Sequence, residues 1–74
     1  MITVKLHLNL TNYTGKQRVE IPAAEPVILK DLLEEMGVPI GEVGLIVKNG
    51  RWNTAECSLS DGDIVELFPY LSGG

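Results

Sequence analysis

The sequence predicts an α+β roll: a mixed sheet of four to five strands with one main helix packed across it. Three observations predict it. Residues 2–10 and 17–21 alternate apolar with polar side chains, the period of two expected of half-buried strands. From residue 28 the apolar positions switch to helical spacing. Two further apolar runs, 43–48 and 64–70, follow with turn dipeptides around them. One amphipathic helix and several one-sided strands bury a common core as two layers.

Each element has its own reason. Ile2, Val4, Leu6, Leu8 and Leu10 alternate with Thr3, Lys5, His7 and Asn9, which reads as one strand to residue 10. "TNYTGK", residues 11–16, has turn chemistry with Gly15 as its flexible point. "QRVEI" alternates again, so the two runs form an antiparallel hairpin, left through Pro22 and Pro26. In "VILKDLLEEMG", Ile28, Leu29, Leu32, Leu33 and Met36 make one face of a helix of about ten residues. Lys30, Asp31, Glu34 and Glu35 take the opposite, solvated face. Gly37 suits the left-handed position past the helix end, and Pro39 blocks continuation. Glu34 and Glu35 oppose the helix dipole there. "VGLIVK", residues 43–48, is a strand; Asn49-Gly50 calls for a type I′ hairpin turn, and "RWN" is the short return. Residues 54–60 have no period, Asp61-Gly62-Asp63 is a turn, and "IVELFPY" is the last strand.

This order suits the ubiquitin-like β-grasp roll, in which the first and last strands pair in parallel at the centre. A proline in a central strand forfeits a ladder bond, so Pro69 belongs where pairing ends. Residues 70–74 are then expected beyond the sheet, as a flexible tail on a single domain spanning 1–74. Alternation in the last strand sets Val65 and Leu67 on the core face and Ile64, Glu66 and Phe68 on the other.

Composition narrows the function. The chain has 74 residues, a net charge of −4 and one cysteine, Cys57. The acidic balance disfavours nucleic acid as a partner. One thiol excludes an internal disulfide framework and a four-cysteine metal site. No apolar run approaches the roughly 20 residues of a membrane span, and the N-terminus lacks a signal-peptide pattern. The expectation is a soluble cytoplasmic protein.

The segments "LLEEMGVP", "KNG", "LSDGDIVELFP" and a final Gly-Gly resemble the MoaD/ThiS family of sulfur carrier proteins across almost the whole chain. Leu59, Asp61, Gly62, Asp63, Val65 and Phe68-Pro69 look like that family's "L.DGD.V..FP" block. Gly73 and Gly74 match its terminal glycines. The resemblance implies a sulfur carrier, not an enzyme by itself. Its Gly74 carboxylate would be adenylated and converted to a thiocarboxylate, with Gly73 as the slender neck behind it. Residues 71–74, fully extended, span at most about 13–14 Å. The implied partners are a ubiquitin-activating-type adenylating enzyme, a sulfur donor protein, and a molybdopterin-synthase large subunit or a thiazole synthase. No cofactor or metal is implied on the carrier, and ATP is used by the activating partner. Phe68-Pro69 leans toward the molybdopterin branch, which commonly ends "FPPV.GG"; Tyr70 stands at its second proline. A ubiquitin-like modifier conjugated through Gly74, or a plain β-grasp interaction module, is the alternative.

Phe68, Pro69, Tyr70, Leu71 and Ser72 are the candidate partner-binding residues, with Phe68 and Leu71 open between a docking patch and ordinary edge packing. Cys57 is expected to pack as a small, partly buried hydrophobe. His7 has no metal-ligand spacing to a second histidine or cysteine and is expected at the solvated surface. Asp61 and Asp63 flank a turn glycine, where aspartate bonds local backbone.

Overall fold

Ile2, Val4 and Leu6 are buried, and the strand they define, β1 (Ile2–Leu6), is the second of five in the sheet. The computed structural model describes residues 1–70. Its further elements are a helical turn α1 (Thr11–Thr14), β2 (Arg18–Ile21), β3 (Val27–Ile28) and the main helix α2 (Leu29–Met36). β4 (Val43–Lys48), β5 (Arg51–Asn53), β6 (Ser58–Leu59) and β7 (Ile64–Pro69) follow. The sheet order is β2-β1-β7-β4-β5, and β3 pairs with β6 as a separate two-stranded ribbon. β1 is antiparallel to β2 and parallel to β7, so first and last strands meet inside the sheet. This is the ubiquitin-like β-grasp fold.

Helix α2 buries Leu29, Leu32 and Leu33 against Ile2, Val4, Leu6, Ile46, Val65 and Leu67 of the sheet. Lys30, Asp31, Glu34 and Glu35 are exposed. The helix ends as its glycine requires. Gly37 is left-handed (φ 77), its N–H donates to the Glu34 carbonyl, and the Val38 N–H donates to the Leu33 carbonyl. These are the two bonds of the Schellman motif. Val38 and Leu33 share the core.

Two sequence expectations are corrected. The first strand ends at Leu6, not residue 10. His7 donates its N–H to the Leu67 carbonyl, Leu8 turns left-handed (φ 55), and Leu8–Leu10 form a 3-10 turn. A left-handed leucine costs roughly 1–2 kcal/mol. Fully burying Leu10 contributes about 1.5–3 kcal/mol, so the turn is favoured although Leu8 is left exposed. Helix α2 also begins one residue later than its apolar stripe suggests. Ile28 lies in β3, exposed, opposite Ser58. No side chain caps the helix start; its first N–H groups, from Leu29 and Lys30, donate to the Cys57 and Ala55 carbonyls.

The remaining turns are as expected. Asn49 and Gly50 both have positive φ (51 and 82), and Lys48 faces Arg51 across the turn. Gly62 is left-handed at the entry to β7. Pro69 closes β7 opposite Val43, two residues beyond the last β1–β7 pair, Leu6 with Leu67. Its missing N–H therefore removes nothing from the central ladder.

Candidate functional site

β7 is the last strand in sequence and the middle one of the sheet, and the chain leaves it at Tyr70. Val65, Leu67 and Pro69 are buried, so Ile64, Glu66 and Phe68 face outward. Residues directly opposite one another on paired strands share a face. Phe68 faces Leu45, Glu66 faces Val47 and Lys5, and Val47 faces Trp52. The outer face of β7, β4 and β5 thus gathers Phe68, Leu45, Val47 and Trp52 into an apolar strip. Trp52 is 81% exposed, the most open large apolar side chain among the described residues. An exposed indole beside half-buried aliphatics has the composition of an interface anchor.

His7 borders this strip. Its ring stacks on Phe68 with centroids 4.2 Å apart and planes 4° from parallel, and its Nε2 lies 3.1 Å from Glu66 Oε1. His7 thus lies at the surface, as expected from the sequence, and is half-buried there because Phe68 covers one face of the ring.

Past β7 the chain runs close against β4. Between the pairs Val43–Pro69 and Leu45–Phe68 the register shifts, leaving Gly44 as the extra residue of a β-bulge. A Cβ on Gly44 would lie 2.9 Å from both Cα and N of Tyr70 and 3.0 Å from the Pro69 oxygen. Tyr70 follows the strand with its side chain exposed. Of the residues proposed from sequence, the structure brings Phe68, Pro69 and Tyr70 together at one end of β7. Leu71, Ser72, Gly73 and Gly74 lie outside the described residues. The sequence reading missed Gly44, Leu45, Val47 and Trp52. Two signals were available: a glycine inside a strand marks a bulge or a close approach, and a two-residue Asn-Gly turn fixes which residues face each other across it.

The other polar candidates have structural roles. Asp63 accepts the Ser60 N–H at 2.7 Å and the Asn49 side-chain amide at 3.0 Å. The Ser60 backbone bond, then the Asn49 amide, hold its carboxyl below the usual carboxylate range. Cys57 is half-buried against the core, and burial raises its thiol above the ordinary value. Among the described residues, no group of three histidine, cysteine or acidic side chains is placed to hold a metal ion. None of their helices is long and apolar enough to cross a membrane.

Comparison with known proteins agrees with this fold. A Pyrococcus furiosus protein assigned as molybdopterin converting factor, subunit 1, is 27% identical, with a TM-score of 0.72 over 95% of this chain and 97% of its own. SAMP1 from Haloferax volcanii is 23% identical, with a TM-score of 0.73 over 99% of this chain and 98% of its own. A thiamine biosynthesis protein from Geobacter metallireducens is 24% identical, with a TM-score of 0.53 over 97% and 87%. The last two likenesses show the fold alone. No curated protein sequence matches significantly. The resemblance to MoaD/ThiS-type proteins read in the sequence is thus present among the solved structures. The Mut7-C ubiquitin family model matches residues 1–72, leaving Gly73 and Gly74 outside the match, and the chain belongs to that family.

Proposed function

We propose that the protein is a sulfur carrier activated at the carboxylate of Gly74. One observation carries the reading: β7 ends at Pro69 and hands the chain to an exposed Tyr70, beside an outer sheet face that leaves Trp52 open to solvent. The likeness to the molybdopterin converting factor subunit supports it and favours molybdopterin biosynthesis, with thiamine thiazole formation next.

The chemistry follows from the group at the tip. A terminal carboxyl, with a pKa of about 3.3–3.7, is ionised and a poor electrophile near neutral pH. In a ubiquitin-activating-type enzyme its oxygen attacks the α-phosphorus of ATP and pyrophosphate leaves. A sulfur nucleophile supplied by a donor protein, at the oxidation level of hydrosulfide, then attacks the acyl carbon and AMP leaves. The carbon keeps one oxygen and gains one sulfur as a thiocarboxylate. A molybdopterin-synthase large subunit or a thiazole synthase receives that sulfur. The carrier supplies no base, metal or cofactor; ATP is consumed on the partner. Its own part is to dock through Phe68, Leu45, Val47 and Trp52 and to deliver Gly73-Gly74 through a narrow approach.

Intact mass tests this. The protein is incubated with an adenylating enzyme from its own organism, ATP and a sulfur source. A species with one oxygen replaced by sulfur at Gly74 is expected, and none after Gly74 is deleted. A protein modifier would use the same activated carboxylate, and SAMP1 shares the fold; recovery of isopeptide-linked conjugates without thiocarboxylate would replace the carrier reading with that one. If neither species forms, and the deletion leaves partner binding unchanged, a plain interaction module remains.

A further inference from the structure

We infer that Gly44 is a positioning residue for activation: its missing side chain lets the backbone of Tyr70 cross β4 at contact distance as the chain leaves the sheet, and a side chain there slows activation without weakening docking. The inference rests on the carrier reading.

The described glycines separate by what each needs. Gly15, Gly37, Gly50 and Gly62 have positive φ, and a Cβ on any of them meets nothing within 4 Å. Gly41 has neither a positive φ nor a neighbour within 4 Å. Gly44 alone among the described glycines is hemmed in, with 2.9 Å from a Cβ to Tyr70 Cα and N and 3.0 Å to the Pro69 oxygen. All three are backbone atoms, so no side-chain rotation relieves the contact. A glycine inside a strand works against stability and packs nothing. Its presence here therefore needs a reason in the close approach.

A methyl group at position 44 obliges one side to move. β4 is held by Val43 and Ile46, both in the core. Pro69 is buried, whereas Tyr70 stands exposed past the last pairing. Tyr70 is the side free to shift. The outward strip of Phe68, Leu45, Val47 and Trp52 keeps its register, so docking is preserved while the chain leaves the sheet at Tyr70 displaced. A misplacement of about 1 Å at a reacting group can cost on the order of a hundredfold in rate.

The test compares the parent protein with Gly44→Ala, Gly41→Ala and the double variant Gly44→Ala/Tyr70→Ala. Pyrophosphate exchange into ATP is measured with the organism's ubiquitin-activating-type adenylating enzyme. Proton NMR of the parent is expected to show a strong contact between the α-protons of residues 44 and 70. In Gly44→Ala, amide shifts should concentrate at residues 43–45 and at Phe68 and Tyr70, with the rest of the core unchanged. The exchange kcat should fall at least about tenfold with KM within about twofold, the increment left when docking contacts are intact. Removing the Tyr70 side chain should not restore the rate, because the contact is with backbone. Gly41→Ala should match the parent. Absence of the α-proton contact in the parent overturns the inference, whatever the variants do. Equal kcat for the parent and Gly44→Ala overturns it and leaves the carrier reading standing. Global unfolding of Gly44→Ala also overturns it, since β4 and not the tail would then have yielded. No exchange by the parent removes the carrier reading, and this inference with it.

Discussion

Asn49 ties two distant turns with one side chain. Its backbone adopts the left-handed geometry of the β4–β5 turn, its Nδ2 donates to Asp63 Oδ1, and its Oδ1 accepts the Ile64 N–H at 2.9 Å. Asn49→Ala therefore loses turn preference and two hydrogen bonds together. A loss of about 2 kcal/mol is expected, read by urea denaturation, whereas Asn53→Ala on the exposed return strand should stay within about 0.5 kcal/mol. Asp63 is the acid-sensitive end of the same network. Its folded carboxyl titrates below the usual range because Ser60 and Asn49 donate to the ionised form. Its contribution to stability is therefore complete above the ordinary aspartate range of about 3.9 and is lost as pH falls through the lowered value. Thermal melts from neutral pH to pH 2 should show a smaller acid-dependent fall for Asp63→Asn than for the parent, and a lower midpoint at neutral pH.

At the level of elements, the turn after β1 decides between two geometries that give Leu8 and Leu10 the same sequence parity. In a longer strand both would face the core; in the observed 3-10 turn only Leu10 does. Leu10→Ala should cost about 2–5 kcal/mol, the range for emptying a buried leucine site. Leu8→Ala should cost little or stabilise slightly, as it relieves nothing buried. Equal losses at the two positions would contradict the structure. The same contrast explains what the sequence could reveal. β4, β5 and the turn between them are legible because a two-residue Asn-Gly turn leaves no freedom in register. The end of α2 is legible because Gly37 has a single conformational task. The β3–β6 ribbon is not, since two residues per strand carry no period, and Ile28 fits the helix stripe equally well by spacing. The tail root was half legible. Pro69 marks where the ladder stops, but the bulge at Gly44 exists only when β4 and β7 lie side by side.

For the whole molecule, the two sheet faces do separate work. The inner face with α2 supplies the core; the outer one carries the apolar strip next to the tail root. Trp52→Ala should leave the melting midpoint unchanged within the scatter of surface substitutions, about 0.5 kcal/mol, and raise the KM for the adenylating enzyme. An unchanged KM would remove Trp52 from the docking strip. The strand order also has a consequence in time. Thr3 pairs with Ile64 and Leu6 with Leu67, so β1 has only β2 beside it until the last strand exists. Contacts so far apart in sequence form slowly, and only after the intervening chain has been made. During synthesis residues 1–69 must all leave the ribosome before the sheet can close. A chain interrupted before residue 64 lacks the middle strand of its sheet, so β1 and β2 are left with no route to β4 and β5, and a prematurely ended product stays an open, unfinished sheet.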